Sequence, residues 1–144
     1  MSWPPVTPYL TVDGIVEVYD NNEELQGIVL IQRKNPPLGT ALPGGFIDVG
    51  ERVENALIRE MLEEISLTVT IKELLGVYSD PKRDERFHTV SVVFICKAYG
   101  EPKGADDAKE AFVVPLDSSK INELVFDHKK IVTDYLTKYV HSVS

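Results

Sequence analysis

Three observations predict an α/β domain, with a mixed β-sheet between helices on both of its faces. Five short runs alternate apolar and polar residues or are continuously apolar and β-branched, as strands are. Two longer stretches repeat their apolar residues at the helical period, one in mid-chain and one near the C-terminus. The two kinds of element are interleaved along the chain rather than segregated. The 144 residues suit a single compact domain over 1–144, long enough to bury a core.

Taken in order, Tyr9 to Tyr19 and Gly27 to Arg33 read as a hairpin across the polar connector 20–26. That connector has Leu25 where a calcium loop needs glycine, so a calcium site is rejected. A loop rich in proline and glycine follows, then a helix over Arg52 to Ile65. Val69 to Ser79 and His88 to Gly100 read as strands joined by a charged loop, and "AFVVPL" as a shorter one. A second helical region begins near "INELVF". It leads into a helix over Asp127 to Val140, with Ile131, Val132, Tyr135, Leu136 and Tyr139 at helical spacing and Asp127 as its N-cap.

Hydrophobic residues make up 43% of the chain, charged residues 26%, and the net charge is −8. That balance argues against nucleic acid as a partner, because phosphate backbones attract clustered Lys and Arg. A small anion remains acceptable if a cation mediates the contact. The single cysteine, Cys96, lies in an apolar run and reads as a buried core thiol. The N-terminus has no basic region followed by an apolar stretch, and no run is long enough for a membrane span, so a cytoplasmic protein is expected.

The mid-chain helix is unusual. At about 100° per residue, Leu57, Ile58, Met61, Leu62 and Ile65 form an apolar arc, and Glu60, Glu63 and Glu64 crowd an adjacent one. Like charges three and four residues apart cost about 0.2–0.5 kcal/mol per pair. Their place near the negative end of the helix dipole adds to the cost. A solvated helix face could tolerate this, whereas a bound divalent cation would remove the penalty. Oxygen ligands on a helix suit Mg²⁺ or Mn²⁺. Before the helix, Gly44 and Gly45 let backbone come close to a ligand, and Glu51 can pair with Arg59 to pin the loop down.

Gly45, Glu51, Arg59, Glu60, Glu63 and Glu64 stand at the spacing of the Nudix box: glycine, five residues, glutamate, seven residues, Arg-Glu, an apolar residue (Met61), any residue, Glu-Glu. The chain therefore resembles the Nudix hydrolases. It departs from the pattern at Ser66, where the family has a helix-ending glycine; a strained helix end is expected there.

The resemblance implies an α/β/α sandwich and a hydrolase that cleaves a nucleoside diphosphate linked to another group. It implies Glu60 and Glu64 as metal ligands, with Glu63 and the Gly45 carbonyl as further ligands. Arg59 and Glu51 would orient the glutamates. Glu63, Glu60 or a loop acid would be the general base, with Asp107 and Glu110 as candidates from the loop beyond the box. The loop "YSDPKRDERFH" gathers Lys82, Arg83, Arg86 and His88 in an otherwise acidic chain. It resembles a stretch of Nudix ADP-ribose pyrophosphatases around Pro81, which puts ADP-ribose first and makes Arg83 and Arg86, with Arg33, Gly44 and Gly45, the expected substrate contacts. The alternatives are a nucleoside triphosphate of the 8-oxo-dGTP type, dinucleoside polyphosphates and, from another class, a nucleotide sensor without turnover. Tyr78, Phe46, Phe87 and Trp3 could stack a base, but such residues are more often core or interface residues, and none is taken as a site. The family resemblance also implies a homodimer; the apolar segment 1–10 could serve as its contact or could cover the monomer's own core.

Overall fold

In a computed structural model the chain is described over residues 2–140. β1 (Tyr9–Tyr19) and β6 (Thr89–Tyr99) lie at the centre of the sheet and run parallel, from Tyr9 opposite Thr89 to Tyr19 opposite Tyr99. β5 (Thr70–Tyr78) pairs antiparallel with the outer side of β6. The other side of β1 is shared. Its first half pairs with β4 (Gly44–Phe46), its last residues with β2 (Leu25–Arg33), both antiparallel. β2 diverges from that fork to pair with β3 (Thr40–Ala41) and β7 (Ala108–Val114). The sheet is thus mixed, and it opens where β2 and β4 part.

Each face carries one helix. Val12, Val16 and Val18 of β1 pack with Leu57, Met61 and Ile65 of α1 (Val53–Ile65). Ile15 points the other way, into a cluster with Ile131, Val132 and Tyr135 of α2 (His128–Tyr135). The period-2 alternation of β1 therefore serves two cores at once. Cys96 is buried in the α1-side core, and burial pushes its thiol up to about 12.

Four expectations need adjusting. β2 begins at Leu25, two residues early, because the pairing bulges where Tyr19 meets Leu25. "INELVF" enters a single 3₁₀ turn, Ser119–Glu123. The C-terminal helix is α only to Tyr135 and continues as a π turn, Leu136–Val140. Asp127 makes no side-chain cap, since its carboxylate is taken by Arg83.

α1 is also rolled away from the expected arc. Its buried residues are Ala56, Leu57, Met61, Glu64 and Ile65, while Ile58 and Leu62 face solvent at 38% and 56% exposure. A carboxylate occupies the face because Glu64 has a partner in the sheet: its Oε1 accepts the Gly44 N–H at 3.0 Å. Ser66 ends the helix in the left-handed region at φ 61°, as the missing glycine foretold. Ser66 Oγ donates to Lys103 O at 3.1 Å, and the N–H groups of Lys103 and Ala105 satisfy the carbonyls of Ile65 and Glu64. The loop that caps the helix thus carries Asp107 back towards the cleft.

Candidate active site

A cleft of about 290 Å³ opens at the fork of the sheet. It is lined by the acids Glu60 and Glu64 of α1 and by the cations Arg33 and Arg86, with Asp107 beside Arg33, where its carbonyl accepts the Lys34 N–H at 3.2 Å. Gly44 and Gly45 line it too. A side chain at Gly44 would collide with the Asp13 carboxylate, and one at Gly45 with the Glu60 carboxylate. Both glycines are required by this close approach.

Arg59 ties the acids together. Its Nε and Nη2 donate to the two Glu51 oxygens at 2.7 and 2.8 Å, the forked geometry that only guanidinium offers. Nη1 donates to Glu60 at 3.0 Å and Glu63 at 3.1 Å, and Nη2 also reaches the Phe46 carbonyl. The loop before α1 is pinned to the helix as the sequence predicts. Hydrogen bonding from Arg59 holds the Glu51 carboxyl down at about 2.

Beyond Arg59 the acids are poorly compensated. Burial raises Glu64 to about 8, and the charges of Glu60, Asp13 and Asp107 push it further up. Glu60 is raised by burial first, with Glu63 and Asp107 adding to it. Behind Gly44 lies Asp13, raised to about 7 by burial; it accepts a hydrogen bond from Ser91 Oγ. His128 accepts the Leu42 N–H on Nδ1 at 2.9 Å, which leaves the proton on Nε2, 3.8 Å from Asp13. Burial lowers this imidazole to about 3, so it is neutral at ordinary pH.

The basic loop divides into roles. Arg86 keeps its place on the cleft wall, paired with Asp84 through Nε and Nη2 at 3.0 and 2.8 Å. Arg83, expected to contact substrate, also lines the cleft, but its guanidinium is engaged by partners at the cleft floor. Its side chain is 4% exposed and donates to both Asp127 oxygens and to Thr89. Burial and a neighbouring carboxylate made this paired pose the better one. Lys82 lies outside the cleft, and His88 faces the Ser79 carbonyl. Arg33 is on the wall, its Nε held by the Pro37 carbonyl at 2.8 Å.

Of the two loop acids, Asp107 lines the cleft and Glu110 does not; Glu110 sits exposed on β7 opposite Gln32. Phe46 lines the cleft and meets Tyr9 and Phe87 in an aromatic cluster on its rim. Tyr78 instead donates to Asp134, and Trp3 is 85% exposed. Sequence reading missed Asp13, Asp84, Phe126 and His128. Only Asp13 left a signal, an acid within an apolar strand.

The donor set fits a hard divalent cation: oxygen atoms only, from carboxylates that burial and mutual repulsion leave in need of positive charge. Among the described residues, no three acidic or imidazole groups converge at metal-binding distance. Glu60 and Glu63 turn to Arg59, and Glu64 to the Gly44 N–H.

A family profile described as "NUDIX domain" matches residues 8–135. The chain is 49% identical over 132 residues to a Methanocaldococcus jannaschii protein named ADP-ribose pyrophosphatase, covering 90% of this chain and 73% of that one. Its structure resembles a MutT/nudix family protein from Enterococcus faecalis, with TM-score 0.79, 28% identity, and coverage of 98% of this chain and 66% of that one. It also resembles a bifunctional NMN adenylyltransferase/ADP ribose pyrophosphatase from Francisella tularensis, complexed with AMP and a Mn ion. There the TM-score is 0.78, the identity 30%, and the coverage 94% of this chain and 43% of that one. Among the described residues, no helix is long and apolar enough to cross a membrane.

Proposed function

The chain belongs to the Nudix family, and we propose that it hydrolyses ADP-ribose to AMP and ribose 5-phosphate in the cleft at the fork of the sheet. One observation carries this reading: the carboxylates of Glu60, Glu64 and Asp107 and the guanidinium groups of Arg33 and Arg86 line one and the same cleft. A diphosphate needs both. Its charge must be met by cations, and the attacking water must be activated.

In this proposal Glu60 and Glu64, with the Gly45 carbonyl and Glu63, would hold Mg²⁺ or Mn²⁺. When bound, the cation supplies charge neutralisation and lowers the pKa of water. The chain's own residues do the rest. Arg59 and Glu51 fix the direction of Glu60 and Glu63. Arg33 and Arg86 bind phosphoryl oxygens and offset charge as it shifts to the leaving group. Asp107 Oδ1 accepts from Asn35 at 3.4 Å, and Oδ2 takes the proton of the attacking water. A P–O bond forms to water while the bridging P–O bond breaks. The rim ring of Phe46 is available to the nucleoside.

Residues 1–144 are proposed to act as one domain and to pair as a homodimer, with Trp3 and Val6, 85% and 98% exposed, at the contact. Incubation of the protein and Mg²⁺ with ADP-ribose, 8-oxo-dGTP, nucleoside triphosphates and diadenosine polyphosphates tests the substrate. AMP from ADP-ribose with little turnover of the others is expected. Pyrophosphate and monophosphate from a triphosphate would overturn it.

A further inference from the structure

Among the described residues, Phe126 alone on the cleft is a non-glycine residue with positive φ. Its φ is 57°, in the left-handed region, which an aromatic residue rarely adopts. The surrounding turn holds it there: the His128 N–H donates to the Val125 carbonyl at 3.3 Å, and the Val125 N–H to the Thr40 carbonyl at 2.9 Å. The next two residues are equally committed. Asp127 grips Arg83, and His128 receives the Leu42 N–H. Strain kept in place by a surrounding network is a pointer to function.

What the strain achieves is the position of the ring. The Arg33 guanidinium sits over Phe126, 5.0 Å from its centroid, and the Arg86 guanidinium sits over the same ring at 5.3 Å. Two cations are thus gathered on one π-system, and Arg86 also covers Phe87 at 4.9 Å. Arg33 has no direct ion pair: among the described residues its guanidinium bonds only the carbonyls of Pro36 and Pro37, and Glu64, Asp107 and Asp84 act on it from beyond contact. Arg86 is committed to Asp84 along one edge. Like charges held together in a half-buried cleft repel, so the ring's attraction to both opposes their separation. A dianionic group between them would turn that repulsion into binding.

We propose that Phe126 is the positioning residue of a phosphoryl subsite, holding Arg33 and Arg86 at the separation that receives one phosphoryl group of the diphosphate. The inference rests on the reading of this cleft as a diphosphate site and names how its cationic wall selects that group. It also explains why the turn tolerates an aromatic residue where glycine would fit more easily. Glycine would relax the backbone and release both guanidinium groups.

The test uses the whole chain and two readouts. Binding of inorganic pyrophosphate in EDTA is measured by calorimetry, and KM and kcat for ADP-ribose are measured with Mg²⁺. Phe126→Leu removes the ring, and so does Phe126→Gly, which suits a positive φ and keeps the turn. Both are expected to weaken pyrophosphate about threefold to tenfold, the range of partly desolvated cation–π contacts. KM is expected to rise by a similar factor, and kcat to change less. Phe126→Tyr should restore both. Combining Phe126→Gly with Arg33→Gln should weaken binding by less than the product of the single effects, because the ring acts through that guanidinium. Unchanged pyrophosphate affinity in a folded Phe126→Gly protein, or fully multiplicative effects with Arg33→Gln, would overturn the proposal. If wild type ignores ADP-ribose while pyrophosphate follows the expected pattern, the subsite stands and the substrate assignment fails.

Discussion

Replacing Glu64 by Gln should separate what this carboxylate does for turnover from what it costs in stability. Glu64 is 4% exposed, and burial lifts it from an ordinary 4.5 to about 8. A carboxyl raised in the folded state keeps a proton that the unfolded chain has already lost. Its stabilising contribution is therefore complete below about pH 4.5 and is lost as pH rises towards 8. One proton of difference corresponds to a slope of about 1.4 kcal/mol per pH unit, or about 2–3 kcal/mol between pH 5.5 and 7.5. Asp13, raised to about 7, adds a loss of the same sign over a slightly lower range.

Glutamine keeps the Oε1 acceptor for the Gly44 N–H but cannot ionise. In EDTA at pH 8, Glu64→Gln should exceed wild type by about 2 kcal/mol, which is about 4–8 °C in Tm for a domain of this size. At pH 5 the two should melt together. Added Mg²⁺ should raise the wild-type Tm at pH 8 and leave the variant nearly unmoved, while turnover of the variant falls by a factor of about 100 or more. Thermal melts in EDTA from pH 5 to 9 provide the assay. Parallel pH profiles for the two proteins would refute the burial argument, and retained turnover would refute the metal role.

Arg59→Lys replaces the fork on Glu51 with a single point charge and frees Glu60 and Glu63, so kcat at saturating Mg²⁺ should fall about 10- to 100-fold. Ser66→Gly removes the left-handed strain at φ 61° and should raise Tm by about 2–4 °C; a lower Tm would mean that the Ser66–Lys103 bond outweighs the strain. Asp107→Asn should reduce kcat more than tenfold, while Glu110→Gln, on exposed β7, should stay within about twofold of wild type in the same steady-state assay.

The elements legible in the sequence were those whose signal is local. Strand alternation gave β1, β5 and β6 to within a residue or two, and the charged spacing from Gly45 to Glu64 located both the helix and its Arg59–Glu51 pin. The roll of α1 was not legible. Apolar spacing favours burying Ile58 and Leu62, yet Glu64 takes the inward face because β4 presents an N–H to it. That partner lies twenty residues away, and no helical periodicity records it.

The same reasoning explains why the cationic wall was only half read. A run such as "PKRDER" shows that cations are gathered, but not which of them finds an acid first. Arg83 met Asp127, 44 residues away, and is buried at 4% exposure; Arg86 met Asp84, two residues away, and stays a third exposed, and both line the cleft. Pairing within the loop leaves a guanidinium near the surface, whereas pairing across the fold buries it. Arg33, whose guanidinium among the described residues bonds only carbonyls and stacks on Phe126, has no carboxylate in direct contact. Its orientation depends on Phe126, a residue whose only local peculiarity is a backbone angle. A sequence does not display that angle, so a specificity device built on it becomes visible only once the turn between Val125 and His128 is seen closed.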